Sequence, residues 1–369
     1  MPKIIKIAVT GGPGAGKSSG LAKIEEYFSK LGWRVIVVGE TAAEMILGGA
    51  TPWIGTHKDF HELLIVLQIH KEKVYFEFAS RLNEDVLIVC DRGCADAKAF
   101  LNEDEWLQVQ AYIDVNEVVL RDGYDAVFHL VTAANGAEQF YMLENNKART
   151  ETVEQAILQD NKLISAWTGH PHLRVIDNRA GFDEKIGRLI GEIASFLGEP
   201  EPMEIERKFL IKYPNIDLLE ENPNCAKVDI IQTYLSTDCN GAEKRLRQRG
   251  IDGHYVFTET TKKEITDTKR IETERRLTEK EYIHLLMNAD SRLKPIRKAR
   301  YCLSHKNQYL EIDVYPFWDR QAILEIELSC EAQEIVFPDF IEVIRELTDD
   351  KRYKNRSLAL EIPEQEAAC

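Results

Sequence analysis

The spacing of hydrophobic residues changes once along this chain, near residue 200. Before that point, short apolar runs alternate with stretches of helical period. Ile4–Thr10 is an apolar strand, and Lys17–Leu31 follows with Leu21, Ile24, Phe28 and Leu31 on one helix face. Gly32 ends that helix. Arg34–Val38 is the next strand and finishes at Glu40, and Phe60–Leu82 reads as a long helix. Val86–Cys90 is apolar at every position, as a strand covered on both faces should be. Ala126–Leu130 and Leu173–Ile176 add two strands, and Glu184–Leu197 a closing amphipathic helix. This alternation predicts an α/β, doubly wound parallel sheet over residues 1–198. Gly198-Glu199-Pro200-Glu201-Pro202 is the strongest punctuation, and 199–202 reads as a short stiff linker. Beyond it the period becomes two. Residues 203–362 are strand-rich, with helices near Glu279–Ala289 and Pro338–Leu347, and 363–369 reads as a frayed tail.

The first strand runs into Gly11-Gly12-Pro13-Gly14-Ala15-Gly16-Lys17-Ser18, a complete G-x4-G-K-S loop between a strand and a helix. Its physics is that of a triphosphate cradle. Gly11, Gly12, Gly14 and Gly16 let backbone N–H groups turn inward, and the helix N-terminus through Ser18 and Ser19 adds partial positive charge. Lys17 reaches the β/γ oxygens and the Ser18 hydroxyl ligates Mg²⁺. Asp91, in Asp91-Arg92-Gly93, ends the apolar strand on the same edge and suits an Mg²⁺ ligand or a general base; a turn cap is the bland alternative. Glu40 could orient a substrate hydroxyl. Asn145–Thr150 is basic enough for a lid, with Arg149 or Lys147 on the γ-phosphate; a solvated turn reads almost as well.

In the second half, charges recur at every other position. Glu204, Glu206 and Lys208 alternate, as do Arg245, Arg247 and Arg249, and Arg270, Glu272 and Glu274. Lys298 with Arg300, Glu311 with Asp313, and Glu325 with Glu327 continue the pattern. Residues i and i+2 share a face of a strand, so each segment has one charged and one mainly apolar face. Solvated amphipathic strands would explain one such segment. Charge of both signs on six points instead to an α+β unit built on a closed or nearly closed antiparallel barrel, charged inside, where the groups pair or hold an anion and a metal.

Two resemblances follow from these motifs. The first half resembles the P-loop, kinase-like domain of the NadR nucleotide kinase, on Gly11–Ser18 and Asp91-Arg92. The second resembles the CYTH family, the triphosphate tunnel metalloenzymes. Glu204-Ile205-Glu206-Arg207-Lys208 matches its ExExK opening, and Arg245-Leu246-Arg247, Glu272-Thr273-Glu274, Lys298-Ala299-Arg300-Tyr301, Glu311-Ile312-Asp313, Glu325-Ile326-Glu327 and Asp350–Asn355 follow in order. The resemblance implies that Lys208, Arg245, Arg247, Lys298 and Arg300, with Lys263 and Arg352, line a tunnel and hold phosphate oxygens. Lys262 competes with Lys263 for that place. It also implies that Glu204, Glu206, Glu272, Glu274, Glu311, Asp313, Glu325 and Glu327 supply oxygen ligands to Mg²⁺ or Mn²⁺. One ion would bridge a triphosphate and a second would activate water.

Such fusions occur in plant tunnel enzymes and in a second group linked with GTP and phospholipid binding in membrane trafficking. The first half here is closer to the second group, on Thr10-Gly11-Gly12-Pro13 and Gly39-Glu40-Thr41-Ala42. The expected function is metal-dependent hydrolysis of a triphosphate, inorganic or nucleoside, beside an ATP- or GTP-binding domain. The alternative is a nucleotide-regulated module that binds a phosphorylated or phospholipid ligand. The bulk numbers agree with either. A chain of 369 residues suits two domains, and a net charge of -15 excludes a general nucleic-acid binder. The seven scattered cysteines fit a reduced compartment, and no apolar run approaches the ~20 residues of a membrane span. The first residues run straight into a strand, which leaves no room for a signal peptide, so a cytoplasmic protein is expected; peripheral contact with lipid stays open.

Overall fold

Five strands that are apolar along most of their length set the first unit. The fold is given by a computed structural model, which describes residues 2–138, 141, 152–179, 181–199, 205–236, 243–266, 269–328 and 333–366, without the side chains of residues 205 and 262–273. The chain divides into two compact units, Met1–Pro202 and Met203–Cys369.

In the first unit, β1 (Ile4–Gly11), β2 (Arg34–Val38), β3 (Val86–Asp91), β4 (Ala126–Leu130) and β5 (Leu173–Ile176) form a five-stranded sheet of order β2-β3-β1-β4-β5. Every pairing is parallel. Helix α1 (Lys17–Lys30) and the helix Phe182–Leu197 bury Ile24, Phe28, Leu189 and Ile193 against Ile7, Val9, Leu87, Val89 and Phe128. Each such side chain contributes about 1.5–3 kcal/mol by leaving water. The long helix runs His57–Ala79, three residues ahead of the expected start, because the Thr56 hydroxyl accepts from Asp59 N at 3.1 Å and caps it there. The sheet order reverses at β1. The connections leaving β1 and β3 therefore open a crevice at the carboxyl edge, where such sheets bind ligands.

In the second unit the strands are β6 (Ile205–Lys212), β7 (Cys225–Tyr234), β8 (Glu243–Ile251), β9 (His254–Thr266), β10 (Lys269–Leu277), β11 (Ile296–His305), β12 (Gln308–Val314), β13 (Gln321–Leu328) and β14 (Val343–Glu346). They form a nine-stranded sheet of order β10-β9-β8-β7-β11-β12-β13-β6-β14. All ladders are antiparallel. Among the described residues β10 and β14 end the order and do not pair with each other, so the ladder is open. One parity of the strands packs Phe209, Ile211, Leu303, Leu310, Ile312, Leu324 and Ile326 under Leu219 and Ile341. The other parity carries the charges.

Two expectations are corrected here. Residues 338–347 are not helical: β14 lies there, paired with β6. Phe340, Ile341, Ile344 and Leu347 have helical spacing, but the β-branched pair Val343-Ile344 completes a sheet edge, and tertiary pairing outweighs local period. Residues 363–366 are pinned, not frayed. Glu366 accepts from Arg345 at 2.6 Å and from the Tyr353 hydroxyl at 2.9 Å, and Gln365 donates to Asp319 at 2.8 Å. No helix among the described residues is long and apolar enough to cross a membrane.

Candidate functional site

The phosphate loop leaves β1 through Gly11, where an added Cβ would stand 2.2 Å from Leu130 O, and enters α1 through Gly16, at φ 89°. Lys17 folds back over the loop, its Nζ donating to Gly11 O at 3.1 Å. Ser18 and Ser19 are exposed in the first turn of α1. Burial, then repulsion from Arg92, pulls the Lys17 ammonium down to about 8 against the attraction of Glu40, Asp91 and Asp96. Arg92, itself at φ 70°, donates from Nε to Glu40 at 2.8 Å and from Nη1 to Asp96 at 3.0 Å. Asp96 also accepts from Thr10 Oγ1 at 2.8 Å. Asp91 differs from Asp96. Its Oδ1 is buried without a hydrogen-bond partner among the described residues, and burial, then repulsion from Glu40, raises its carboxyl above the usual range. An orphaned carboxylate oxygen beside a depressed lysine suits a hydrated cation carried by an anionic ligand.

The Lys17 environment has a consequence for stability. The folded pKa lies below the ordinary 10.5, so between about pH 8 and 10.5 the unfolded chain holds a proton that the folded chain has released. Stability of the first unit should therefore rise with pH across that window. Lys17→Met is expected to flatten the rise, read as the urea midpoint against pH. An identical slope in both proteins would contradict the burial.

In the second unit, Arg300 is the hub of the charged parity. It donates from Nε to Asp313 Oδ1 and from Nη2 to Asp313 Oδ2, each at 2.6 Å, from Nη2 to Glu325 at 2.6 Å, and to Glu311. Lys298 also donates to Asp313, while Lys208 lies 2.6 Å from Glu325 and 3.6 Å from Glu206. The ladder explains the meeting: Arg300 stands opposite Asp313, Glu311 opposite Glu325, and Glu325 opposite Lys208. This face is withdrawn from water, with Asp313 0%, Lys298 6% and Glu325 8% exposed. Burial works against ionised Glu325, but Lys208, Lys298 and Arg300 outweigh it and hold the carboxyl well below its usual range. Glu206 goes the other way, raised first by desolvation and then by repulsion from Glu325 and Glu311.

The neighbouring strands are cationic and unfinished. Gln232, Arg247 and Thr258 stand in one row across β7, β8 and β9. Gln232 Oε1, Arg247 Nε and Thr258 Oγ1 are all buried without a hydrogen-bond partner among the described residues. Burial, then repulsion from Arg245, pushes the Arg247 guanidinium down to about 10, with Glu274 opposing. Such a row costs free energy until something polar fills it.

Known proteins resemble this chain in two ways. An inorganic triphosphatase of Nitrosomonas europaea is 33% identical over 172 residues, which span 43% of this chain and 99% of that protein. The chain belongs to the family of that triphosphatase. Two solved structures align with 44% of this chain, each at a TM-score of 0.32: a hypothetical protein, 31% identical with all of its chain covered, and an inorganic triphosphatase, 29% identical with 97% covered. Residues 6–185 match the family model described as an AAA domain, so the N-terminal part is an AAA-type P-loop domain. The match to the triphosphatase spans less than half of the residues.

The structure gathers Glu206, Lys208, Lys298, Arg300, Glu311, Asp313 and Glu325 in one bonded network, with Arg245 and Arg247 on β8. Glu274 accepts from Thr260 at 3.2 Å on β9, and Glu327 is exposed opposite Glu206. Glu204 and Arg149 lie outside the described residues, as do the side chains of Glu272 and Lys263. In the backbone register Lys263 stands opposite Ile271, whereas Lys262 stands opposite Glu272 and Glu243, in step with Thr258 and Thr260. Arg352 is corrected: its side chain is 67% exposed and binds Asp350 at 2.7 Å, a partner only two residues away, so it does not join the network. Sequence reasoning missed Asp96 and Arg356. Arg356 lies over the Tyr234 ring at 5.5 Å and 3.4 Å from Glu243, beside the cationic strands. Neither carries a local motif that would have singled it out.

Proposed function

We propose that the second unit hydrolyses a triphosphate in a metal-dependent, CYTH-type tunnel, and that the first unit, a NadR-like P-loop domain, binds ATP or GTP. On this reading residues 1–198 and 203–362 are separate domains. The observation that carries it is the row Gln232–Arg247–Thr258, whose buried polar atoms have no hydrogen-bond partner among the described residues, beside a buried carboxylate network. Lys208, Arg245, Arg247, Lys298 and Arg300 would bind phosphate oxygens of inorganic tripolyphosphate or a nucleoside triphosphate. The carboxylates offer the hard oxygens that Mg²⁺ or Mn²⁺ takes, although the described residues form no ready cluster of three or more metal-ligating side chains; burial, then repulsion from Glu325 and Glu311, raises Glu206, and a cation would relieve that repulsion. Glu206, Glu311 and Glu325 would hold it, and the ion would neutralise phosphate charge and acidify a water. In the first unit the bare Asp91 Oδ1 supports Mg²⁺ at the nucleotide, with Ser18.

A second reading keeps the same ligand class without turnover. It is favoured by Arg300, which engages Glu311, Asp313 and Glu325 and leaves few carboxylates for a metal. Phosphate release from tripolyphosphate, ATP and GTP with Mg²⁺ or Mn²⁺ separates the two. Wild type and Lys17→Ala are expected to release phosphate from tripolyphosphate at similar rates, and Glu206→Gln at a rate at least ~100-fold lower, the scale of one lost charge-stabilising group. No release by wild type with either ion would leave binding alone.

A further inference from the structure

We propose that Asp160 is a positioning residue for the phosphate loop, holding it in a nucleotide-ready shape through the main chain of Gly12. The inference rests on the reading of Gly11–Ser18 as a nucleotide site. Asp160 lies in the helix Val153–Trp167, 148 positions from Gly12, and is 1% exposed. Its Oδ1 accepts from Gly12 N at 2.7 Å and lies 3.1 Å from His129 Nε2, and its Oδ2 accepts from Thr132 N at 3.2 Å. The Nδ1 of fully buried His129 has no hydrogen-bond partner among the described residues, which puts the proton of a neutral ring on Nε2, facing Asp160. Three donors therefore converge on one carboxylate. Asparagine would offer one acceptor oxygen and an amide with no use for a second donor.

The loop is built around this carboxylate. A Cβ on Gly12 would stand 2.6 Å from Asp160 Oδ1, so the glycine is required by Asp160 and not by a ligand alone. Thr132, which donates to Asp160 from its backbone, also donates from Oγ1 to Pro13 O, and Lys185 Nζ donates to Ala15 O at 3.0 Å. Gly12, Pro13 and Ala15 are thus each held from outside the loop. The same helix reaches the other side of the crevice. Trp167 Nε1 donates to Asp96 Oδ1 at 2.5 Å, and Asp96 holds Thr10 and Arg92. A buried negative charge beside an anion-binding loop repels the anion and is tolerable only for what it holds in place.

The test is titration of a fluorescent methylanthraniloyl-ATP with Mg²⁺ into full-length wild type, Asp160→Ala, Asp160→Asn and Gly12→Ala. Melting curves and amide hydrogen exchange over residues 10–16 accompany it. Asp160→Ala and Gly12→Ala should each raise Kd at least tenfold and speed exchange of the loop, with Asp160→Asn between them and wild type. A folded Asp160→Ala that binds with the wild-type Kd overturns the proposal; if that variant does not fold, the same result with Asp160→Asn does so. A lower melting temperature with unchanged Kd and exchange means a purely structural role and also overturns it. If wild type binds neither this probe nor methylanthraniloyl-GTP, the nucleotide reading has failed by itself. Loop exchange then decides the positioning role, supporting it if faster in Asp160→Ala and overturning it if unchanged.

Discussion

Replacing Arg300 with methionine is expected to destabilise the second unit by about 3–5 kcal/mol at neutral pH, the cost of removing one partner from a buried ion-pair network. Methionine fills much of the same volume and carries no charge, so packing changes little. What changes is the company left behind. Asp313, Glu311 and Glu325 all face this one guanidinium. Asp313 has no exposed surface through which water could replace it. Lys298 and Lys208 would remain, one on Asp313 and one on Glu325, and Glu311 would lose its cation. The pH dependence has a definite sign. Glu325 is held far below its ordinary range in the folded protein, so its contribution is full above about pH 4.5, the ordinary value, and fades as pH falls through the folded value. Without Arg300 part of that contribution is already absent, while Lys208 and Lys298 still supply theirs. The deficit of the variant should therefore be largest at neutral pH and shrink on acidification, as the Glu325 contribution to the wild type fades. Pulsed hydrogen exchange of β11–β13 peptides along a urea series, at two pH values, reads this unit by itself. A loss below about 1 kcal/mol that does not vary with pH would show that the network is only a set of weak surface-type pairs.

The two sites differ in how far a linear reading could see them. The phosphate loop is contiguous, and its chemistry depends on glycine φ values and one helix start, so Gly11–Ser18 carries nearly all of it. The strands around it were legible for a related reason: a run such as Val86–Cys90 is apolar at every position only because both faces are covered. The charged sheet is different. Period two placed Lys298 with Arg300 and Glu311 with Asp313 on one face of each strand. It could not choose among pairings, and so could not make Arg300 the hub of three carboxylates on two other strands. Asp160 is the extreme case. Its partner is 148 residues away, and nothing near it in sequence distinguishes it from any helical aspartate. Arg352 failed in the opposite direction. It sits in the closing Asp350–Asn355 motif, yet Asp350, two residues before it, takes the guanidinium locally. Residues 338–347 show the limit of period itself, since four apolar residues at helical spacing still joined a sheet edge once β6 offered its free side.

Removing Arg247 should move stability and ligand affinity in opposite directions. This guanidinium is desolvated, stands with Arg245, Arg249 and Arg300 at its side, and has a buried Nε without a partner among the described residues. Each of these raises the free energy of the folded state. Arg247→Leu keeps the apolar stem and deletes the cause, and should stabilise the second unit by about 1–3 kcal/mol, the scale of one unsatisfied buried donor. A polyphosphate reverses the balance. Its oxygens would satisfy the Nε, screen the neighbouring arginines and turn the repulsion into attraction at short range. Loss of one charge-assisted bond of about 1.5–3 kcal/mol corresponds to a rise of roughly 10- to 150-fold in the Kd for tripolyphosphate. Arg300→Met contrasts with this in a useful way, because that arginine is already paired and its removal should destabilise the protein with or without ligand. Urea unfolding and calorimetric titration of tripolyphosphate into the same two variants test the pair of signs. A destabilised Arg247→Leu would mean that the guanidinium is structural. A stabilised variant that binds tripolyphosphate as wild type does would move the anion away from β8. Only a more stable protein that binds less tightly fits a cationic wall held under strain for its ligand, the exchange of stability for function expected where a site is built ahead of what it binds.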